Sequence, residues 1–252
     1  MNTSPEMSHI TQALLVGTKY TGSKQPMEKK ISASNYDLEL RQLYLNYVYG
    51  TQDNQTDFGA NTAGSLLQLG VDIIFADNPN YKIAIRKQKL LPNGWAVSGE
   101  VDLIDLTTNS IIDFKLLAGG GYNKAIKHES YIANMSIYRW LFDNQFPNSY
   151  LYAINKAGSK VKDNIYDIVN ITDNLWNVDQ VEQILTDKTE ELNYLVDNPD
   201  EIPICDKFKY GRSSETKQPN LCAHYCDVNH LCDDYNNTKS LSNHLATKQL
   251  LL

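Results

Sequence analysis

The stretch Gly99–Lys115, GEVDLIDLTTNSIIDFK, constrains the fold of this chain more than any other part of its sequence. Its first part is rich in strand-forming residues, the tetrapeptide TTNS has the composition of a turn, and IIDFK resumes the strand pattern. The sequence therefore predicts a β-hairpin. Successive side chains of a strand point to opposite sides, so Asp113 and Lys115 share one face while Phe114 is buried on the other.

Two carboxylates of this hairpin can meet across its strands. Asp102 on the first strand and Asp113 on the second would form a hard-oxygen site for Mg²⁺ or Mn²⁺, which also bind phosphate and water. The carbonyl oxygen of Phe114 is a candidate further ligand, and Lys115 would hold a water molecule or offset charge on a phosphate. A lone D-x-K triplet is common, so ordinary hairpin charges are the alternative interpretation.

The sequence G-x-x-D ending at Asp102, followed by D-x-K starting at Asp113, resembles the PD-(D/E)XK nuclease superfamily. The resemblance is to its RecB-like branch and the CRISPR-associated iron-sulfur exonucleases related to it. It implies a mixed α/β (α+β) fold with a restriction-endonuclease-like core, in which a central mixed β-sheet is flanked by helices. It also implies that Asp102, Asp113 and Lys115 are the catalytic residues of a metal-dependent nuclease.

A predicted buried helix over residues 59–75 resembles the family's G-T-x-x-H-x-x-x-E helix, with Gln68 in place of the histidine and Asp72 in place of the glutamate. Gln68 and Asp72 lie four residues apart and share a helical face. The resemblance implies that both contribute to the metal site, which would then favour Mg²⁺, because an amide oxygen is a poorer transition-metal ligand than an imidazole. Alternatively, both are polar residues of a partly exposed helix.

A second predicted helix, residues 128–146, carries a further part of the pattern. Its segment from Asn134 to Tyr138 resembles the Q-x-x-x-Y signature of RecB-like nucleases, with the glutamine shortened to asparagine. The resemblance implies that Tyr138 orders the active site or contacts a DNA phosphate. A packed tyrosine is the alternative.

All four cysteines lie between residues 205 and 232, with the spacing C-x16-C-x3-C-x5-C. Four thiolates in a short, loop-rich segment suit a structural Zn²⁺ or a [4Fe–4S] cluster, whereas disulfides or buried thiols are the alternative. The histidines of this segment also leave a mixed Cys/His zinc site open. The candidate ligands are Cys205, Cys222, Cys226 and Cys232.

The closely spaced CAHYCDVNHLC resembles the C-terminal cysteine triplet of the iron-sulfur nucleases, which favours a [4Fe–4S] cluster over zinc. Those relatives often supply a further cysteine from an N-terminal C-P-R element. The sequence Glu39-Leu40-Arg41 resembles that element without its cysteine, so Cys205 would become the fourth ligand.

Periodicity elsewhere predicts the remaining elements. Strands are expected over residues 81–91 and 95–105, forming a three-stranded antiparallel meander with the hairpin, and another strand over 149–156. A helix is expected to begin at an N-cap formed by Ser34, and a long amphipathic helix to cover 178–197. The expected organisation is an N-terminal arm (1–30), a nuclease core (31–200), a cysteine cluster segment packed on the core (201–235) and a tail (236–252).

Composition limits the location and the mode of DNA binding. The net charge of −7 over 252 residues argues against indiscriminate coating of nucleic acid, although a local basic face can still bind phosphate. No stretch approaches the roughly 20 apolar residues that cross a bilayer, and the N-terminus lacks a signal-peptide pattern. A cytoplasmic protein without membrane contact is therefore expected, in the host cytoplasm if a phage encodes it.

The resulting hypothesis is a Mg²⁺- or Mn²⁺-dependent deoxyribonuclease. The resemblance implies an exonuclease acting on duplex ends or single strands in recombination, repair or phage DNA processing, where a protein partner of the DNA-processing complex is also expected. The alternative is a nuclease-like fold that binds DNA or a protein partner without cutting, because Gln68 and Asn134 depart from the family pattern.

Overall fold

The computed structural model describes residues 29–50, 58–117, 129–155, 166–205, 226 and 228–232. Six strands in these ranges form one sheet. The strands are β1 (Lys30–Ser32), β2 (Tyr81–Leu90), β3 (Ala96–Asp105), β4 (Ser110–Leu117), β5 (Asn148–Asn155) and β6 (Tyr166–Asn170). The α-helices are α1 (Leu40–Tyr49), α2 (Phe58–Phe75), α3 (Glu129–Leu141) and α4 (Val178–Asp197).

Strand β3 is the centre of the sheet. It pairs antiparallel with β2 along its whole length. At its other edge it pairs parallel with β1 over Ala96–Ser98 and antiparallel with β4 over Leu103–Asp105. Strand β4 continues the sheet in parallel to β5, and β5 is antiparallel to β6. The antiparallel meander that the sequence predicts is confirmed, within a mixed sheet.

The core lies where α3 packs against β3. Val97 and Val101 of β3 and Ile137 and Leu141 of α3 are fully buried, because the apolar stripe of the helix covers the apolar side of the strand. Gly99 makes this close approach possible. A Cβ atom at this position would lie 2.7 Å from Cε1 of Tyr138, so a larger residue would push the helix away from the strand.

Two expectations about helices are wrong. Helix α1 begins at Leu40 with Glu39 as its N-cap, while Ser34 lies in a short 3₁₀-helix, Ala33–Asn35. The main-chain amide of Glu39 donates a hydrogen bond of 3.3 Å to Oε1 of Gln42, as part of a capping box that begins the helix at Glu39. Helix α2 forms as expected, but its described side chains are not all buried: Val71 is buried, whereas Ile73 and Ile74 are 70% and 72% exposed. Helix α4 has the predicted bounds.

The chain divides into two compact units. The described residues within Lys29–Asp37 and Ala60–Thr189 belong to the first unit, which contains the six strands and α3. The described residues within Leu38–Gly59 and Glu190–Leu252 belong to the second. Across the described ranges, no helix combines the length and apolar character needed to cross a membrane.

Candidate active site

Asp102 lies where the ladder between β3 and β4 ends. The last regular pair joins Leu103 to Ile112, so the same register brings Asp102 opposite Asp113. Beyond that pair, the main-chain amide of Phe114 donates a hydrogen bond of 2.9 Å to Oδ2 of Asp102. A side-chain oxygen therefore accepts the bond that a main-chain carbonyl would accept in a regular ladder. This bond fixes Asp102 beside the second strand.

Asp113 and Lys115 follow on β4 and face the same side, as the strand period requires. The ammonium of Lys115 lies 2.7 Å from Oδ2 of Asp113, in a pair whose side chains are only 26% and 5% exposed. The two groups therefore form a close ion pair that is largely shielded from water. Phe114 is half-buried on the opposite side and packs against Tyr152.

The charged groups of this site change one another's pKa values. Burial and the neighbouring charge of Asp113 raise the pKa of Asp102 to about 7, against the opposing effects of the Phe114 amide and Lys115. Burial alone would lower the pKa of the Lys115 ammonium, but the Asp113 and Asp102 carboxylates raise it above its usual value. The site therefore contains a fixed positive charge and one more carboxylate than that charge can neutralise.

Helix α3 covers the carboxylates with three polar side chains spaced at one helical face. Tyr138 lies close enough that burial, Asp113 and Asp102 together raise its phenol pKa well above the usual value. Tyr131 places its ring 5.4 Å from the ammonium of Lys115. Between them, Oδ1 of Asn134 is buried and makes no hydrogen bond to any described residue.

Sequence reasoning missed two neighbours of this site. Glu100 precedes Asp102 by two residues and adds to the rise in its pKa, while its own carboxylate pairs with Arg86 at 2.9 Å. Tyr131 precedes Tyr138 by seven residues, two helical turns, and so lies on the same face. The strand period and the helix period were the signals that could have found them.

The remaining predicted ligands are not brought to this site by any described contact. Gln68 and Asp72 share a face of α2, as expected, and the amide of Gln68 donates to the carboxylate of Asp72 at 2.9 Å. Their part in metal binding stays a prediction.

Of the four cysteines, Cys226 is buried, Cys205 and Cys232 are half-buried, and Cys222 lies outside the described residues. Arg41 fixes the segment before Cys205, with its guanidinium donating to the carbonyl oxygens of Pro203 at 2.9 Å and Ile202 at 3.0 Å. The ligand role of the cysteines also stays a prediction.

The described residues contain no group of three or more His, Cys, Asp or Glu side chains arranged to hold a metal ion. Among the described residues, the candidate ligands at this site are the Asp102 and Asp113 carboxylates and the main-chain carbonyl oxygen of Phe114. This donor set fits a divalent cation, because carboxylate and carbonyl oxygens are hard ligands and a cation would relieve the repulsion between the Asp102 and Asp113 carboxylates.

Neither a protein-family model nor a curated protein sequence matches this chain. Among solved structures, one described as the crystal structure of SSO0001 superimposes with a TM-score of 0.55 at 13% identity, covering 92% of this chain and 96% of that chain. This likeness concerns the fold alone. The predicted mixed α/β fold, a restriction-endonuclease-like core with a central mixed sheet and flanking helices, is confirmed at this level.

Two further structures show a weaker likeness. A phage-related exonuclease from Haemophilus somnus 129PT has a TM-score of 0.48 at 12% identity, covering 68% of this chain and 96% of that chain. LHK-Exo in complex with dAMP has a TM-score of 0.45 at 14% identity, covering 69% and 95%. LHK-Exo is an alkaline exonuclease from Laribacter hongkongensis. With TM-scores below 0.5, these two likenesses carry no argument about function.

Proposed function

We propose that this protein is a deoxyribonuclease that hydrolyses phosphodiester bonds with Mg²⁺ or Mn²⁺. The observation that carries the proposal is the meeting of Asp102, Asp113 and Lys115 at the end of the β3–β4 ladder, beneath α3. A buried carboxylate and a half-buried one beside a half-buried ammonium are costly to a protein that does not use them. The exonuclease mode and the choice of DNA rest on the resemblance to RecB-like nucleases.

The roles of the residues follow from their charges. Asp102, Asp113 and the carbonyl oxygen of Phe114 would hold the divalent cation, which when bound neutralises phosphate charge and makes water a better nucleophile at neutral pH. Lys115 carries a permanent positive charge, because its pKa is raised, and would offset the charge that develops on the scissile phosphate.

Tyr138 acts only as a hydrogen-bond donor in this scheme. Burial and the two carboxylates raise its pKa, so the phenol stays protonated and would donate to a phosphate oxygen. Asn134 supplies a buried amide one helical turn away on the same face, which would support the position of the same group.

The test is cleavage of end-labelled single-stranded and duplex DNA in the presence of Mg²⁺, Mn²⁺ or EDTA. We expect cleavage with either metal and none with EDTA, and a loss of at least about a hundredfold in kcat for Asp113→Ala and Lys115→Ala. The variant Asp173→Ala is the matched control, since it removes an exposed carboxylate of the 3₁₀-helix Thr172–Asn174.

Two outcomes would contradict the proposal. One is metal-dependent cleavage by Asp113→Ala at the wild-type rate. The other is DNA binding without cleavage by the wild-type protein in both metals, which would favour a nuclease-like fold that binds without cutting. Closed circular DNA, which has no ends, then separates an exonuclease from an endonuclease.

We propose further that Cys205, Cys222, Cys226 and Cys232 hold a [4Fe–4S] cluster, with structural Zn²⁺ as the alternative. Support comes from the four soft ligands confined to one segment and from the anchoring of the chain before Cys205 by Arg41. Protein purified without air should be brown, absorb at about 400 nm and contain iron by elemental analysis. Colourless protein that contains zinc would decide for the alternative.

A further inference from the structure

Tyr131 lies in the first turn of α3 and contacts the candidate active site through its ring. The ring centroid is 5.4 Å from Nζ of Lys115, within the range of a cation–π interaction. The same side chain packs against the buried Leu117 of β4 and Ala153 of β5. Residues of two paired strands therefore fix the ring beside the ammonium.

Lys115 has a flexible four-carbon stem, and its ammonium has two described partners, the Asp113 carboxylate at 2.7 Å and the Tyr131 ring. These partners differ in kind. The carboxylate neutralises the ammonium and is itself a candidate metal ligand, whereas the ring attracts the ammonium without cancelling its charge. The ring can therefore help to hold the ammonium in position while its charge stays available to a phosphate.

We infer that Tyr131 is a positioning residue, which holds the Lys115 ammonium in place for its action on the scissile phosphate. The inference rests on the proposed nuclease function. Tyr131 acts through Lys115, and the aromatic ring rather than the phenol hydroxyl carries this role.

The test compares Tyr131→Phe with Tyr131→Leu. Phenylalanine keeps an aromatic face, so we expect a kcat within about threefold of the wild type, whereas leucine keeps only the apolar packing and should lower kcat about tenfold. KM for DNA should change by less than about threefold in both variants, because the interaction with Lys115 matters most when charge develops on the phosphate.

A second measurement does not depend on catalysis. In the metal-free protein, acylation of Lys115 by an amine-reactive ester, followed by peptide mass spectrometry, reports how firmly the side chain is held. We expect faster labelling of Lys115 in Tyr131→Leu than in the wild type and in Tyr131→Phe. Tyr81→Leu is the matched control, because that ring packs on Phe75 at 4.7 Å and lies at the start of β2. It should change neither kcat nor the labelling of Lys115.

Tyr131→Leu with wild-type kcat and wild-type labelling would overturn the inference. So would Tyr131→Phe that behaves like Tyr131→Leu, since the hydroxyl would then be the group that matters. A failure of the inference is distinct from a failure of the nuclease proposal. If only the inference fails, Lys115→Ala is inactive while Tyr131→Leu is fully active. If the nuclease proposal fails, Lys115→Ala is still active.

Discussion

Asp102 occupies an unfavourable environment for a charged group. Its carboxylate is partly removed from water and lies near a second carboxylate, and the pKa rises from 3.8 to about 7 for these two reasons. A group whose pKa is raised on folding destabilises the folded state once the pH exceeds its unfolded pKa. Stability should therefore fall as the pH rises from about 4 to about 7, and stay low above that.

We expect Asp102→Asn to stabilise the metal-free protein at neutral pH while it abolishes cleavage. Asparagine has no charge to desolvate, and its side-chain oxygen can still accept the hydrogen bond from Phe114. In EDTA, the melting temperature of the wild type should be higher at about pH 5 than at about pH 8, and the variant should lose most of this difference, which is worth on the order of a few kcal/mol.

A divalent cation should restore to the wild type the stability that it loses as the pH rises. Mg²⁺ or Mn²⁺ compensates the ionised pair, so it should raise the melting temperature more at about pH 8 than at about pH 5 and have little effect on Asp102→Asn. If the wild type and Asp102→Asn show the same melting temperatures at both pH values in EDTA, the description of Asp102 as a buried, repelled charge is wrong.

At the scale of the element, the β3–β4 hairpin is held by its own turn. The carboxylate of Asp105 accepts hydrogen bonds from the amide and hydroxyl of Thr107 at 2.8 and 2.6 Å, and from the amide and hydroxyl of Thr108 at 3.4 and 2.8 Å. Burial alone would raise the pKa of Asp105, but these hydrogen bonds lower it below 3.8. The turn therefore sets the register that brings Asp102 opposite Asp113.

We expect Asp105→Ala to lower the free energy of unfolding by about 2 kcal/mol at neutral pH, because four donors lose a buried acceptor. The pKa of this group is lowered on folding, so its contribution is present above the unfolded pKa and disappears as the pH falls through the folded one. Urea unfolding of both proteins at about pH 7 and about pH 3 measures this. A difference between the two proteins that stays constant over this range would contradict the assignment.

Helices α1 and α2 show where local patterns mislead. Ser34 has the chemistry of an N-cap, but its hydroxyl lies 3.0 Å from that of Ser32, and the chain enters α1 only at Glu39. The apolar composition of α2 predicts a buried helix, yet the side chains of Ile73 and Ile74 are exposed. Apolar composition indicates a helix that can be buried, whereas burial itself depends on what else packs there.

At the scale of the whole molecule, the sheet with its candidate active site belongs to one compact unit, while α1 and the cysteine segment belong to the other. Arg41 of α1 connects parts of the second unit that are far apart in sequence, because it binds the carbonyl oxygens of Ile202 and Pro203. A cofactor held by Cys205 would then depend on a residue more than 160 positions away, since the two hydrogen bonds span 161 and 162 residues.

We expect Arg41→Ala to lower the affinity for iron or zinc about tenfold, because the main chain before Cys205 loses two hydrogen bonds that orient it. Retention of the metal against a chelator, followed by elemental analysis, measures this. Arg139→Ala is the matched control, since Arg139 binds Asn144 in the first unit. Equal retention in Arg41→Ala and the wild type would separate Arg41 from the cysteine site.

The sequence by itself determined the hairpin, the register that pairs Asp102 with Asp113, the shared face of Asp113 and Lys115, and the bounds of α4. These follow from the periods of strand and helix and from turn chemistry, which act over a few residues. Only the tertiary structure decided that α3 lies over the carboxylates with Tyr131 against Lys115, and that Asp102 is buried enough to hold a proton near neutral pH. Burial and electrostatic coupling depend on residues distant in sequence, and no local period encodes which distant surfaces will meet.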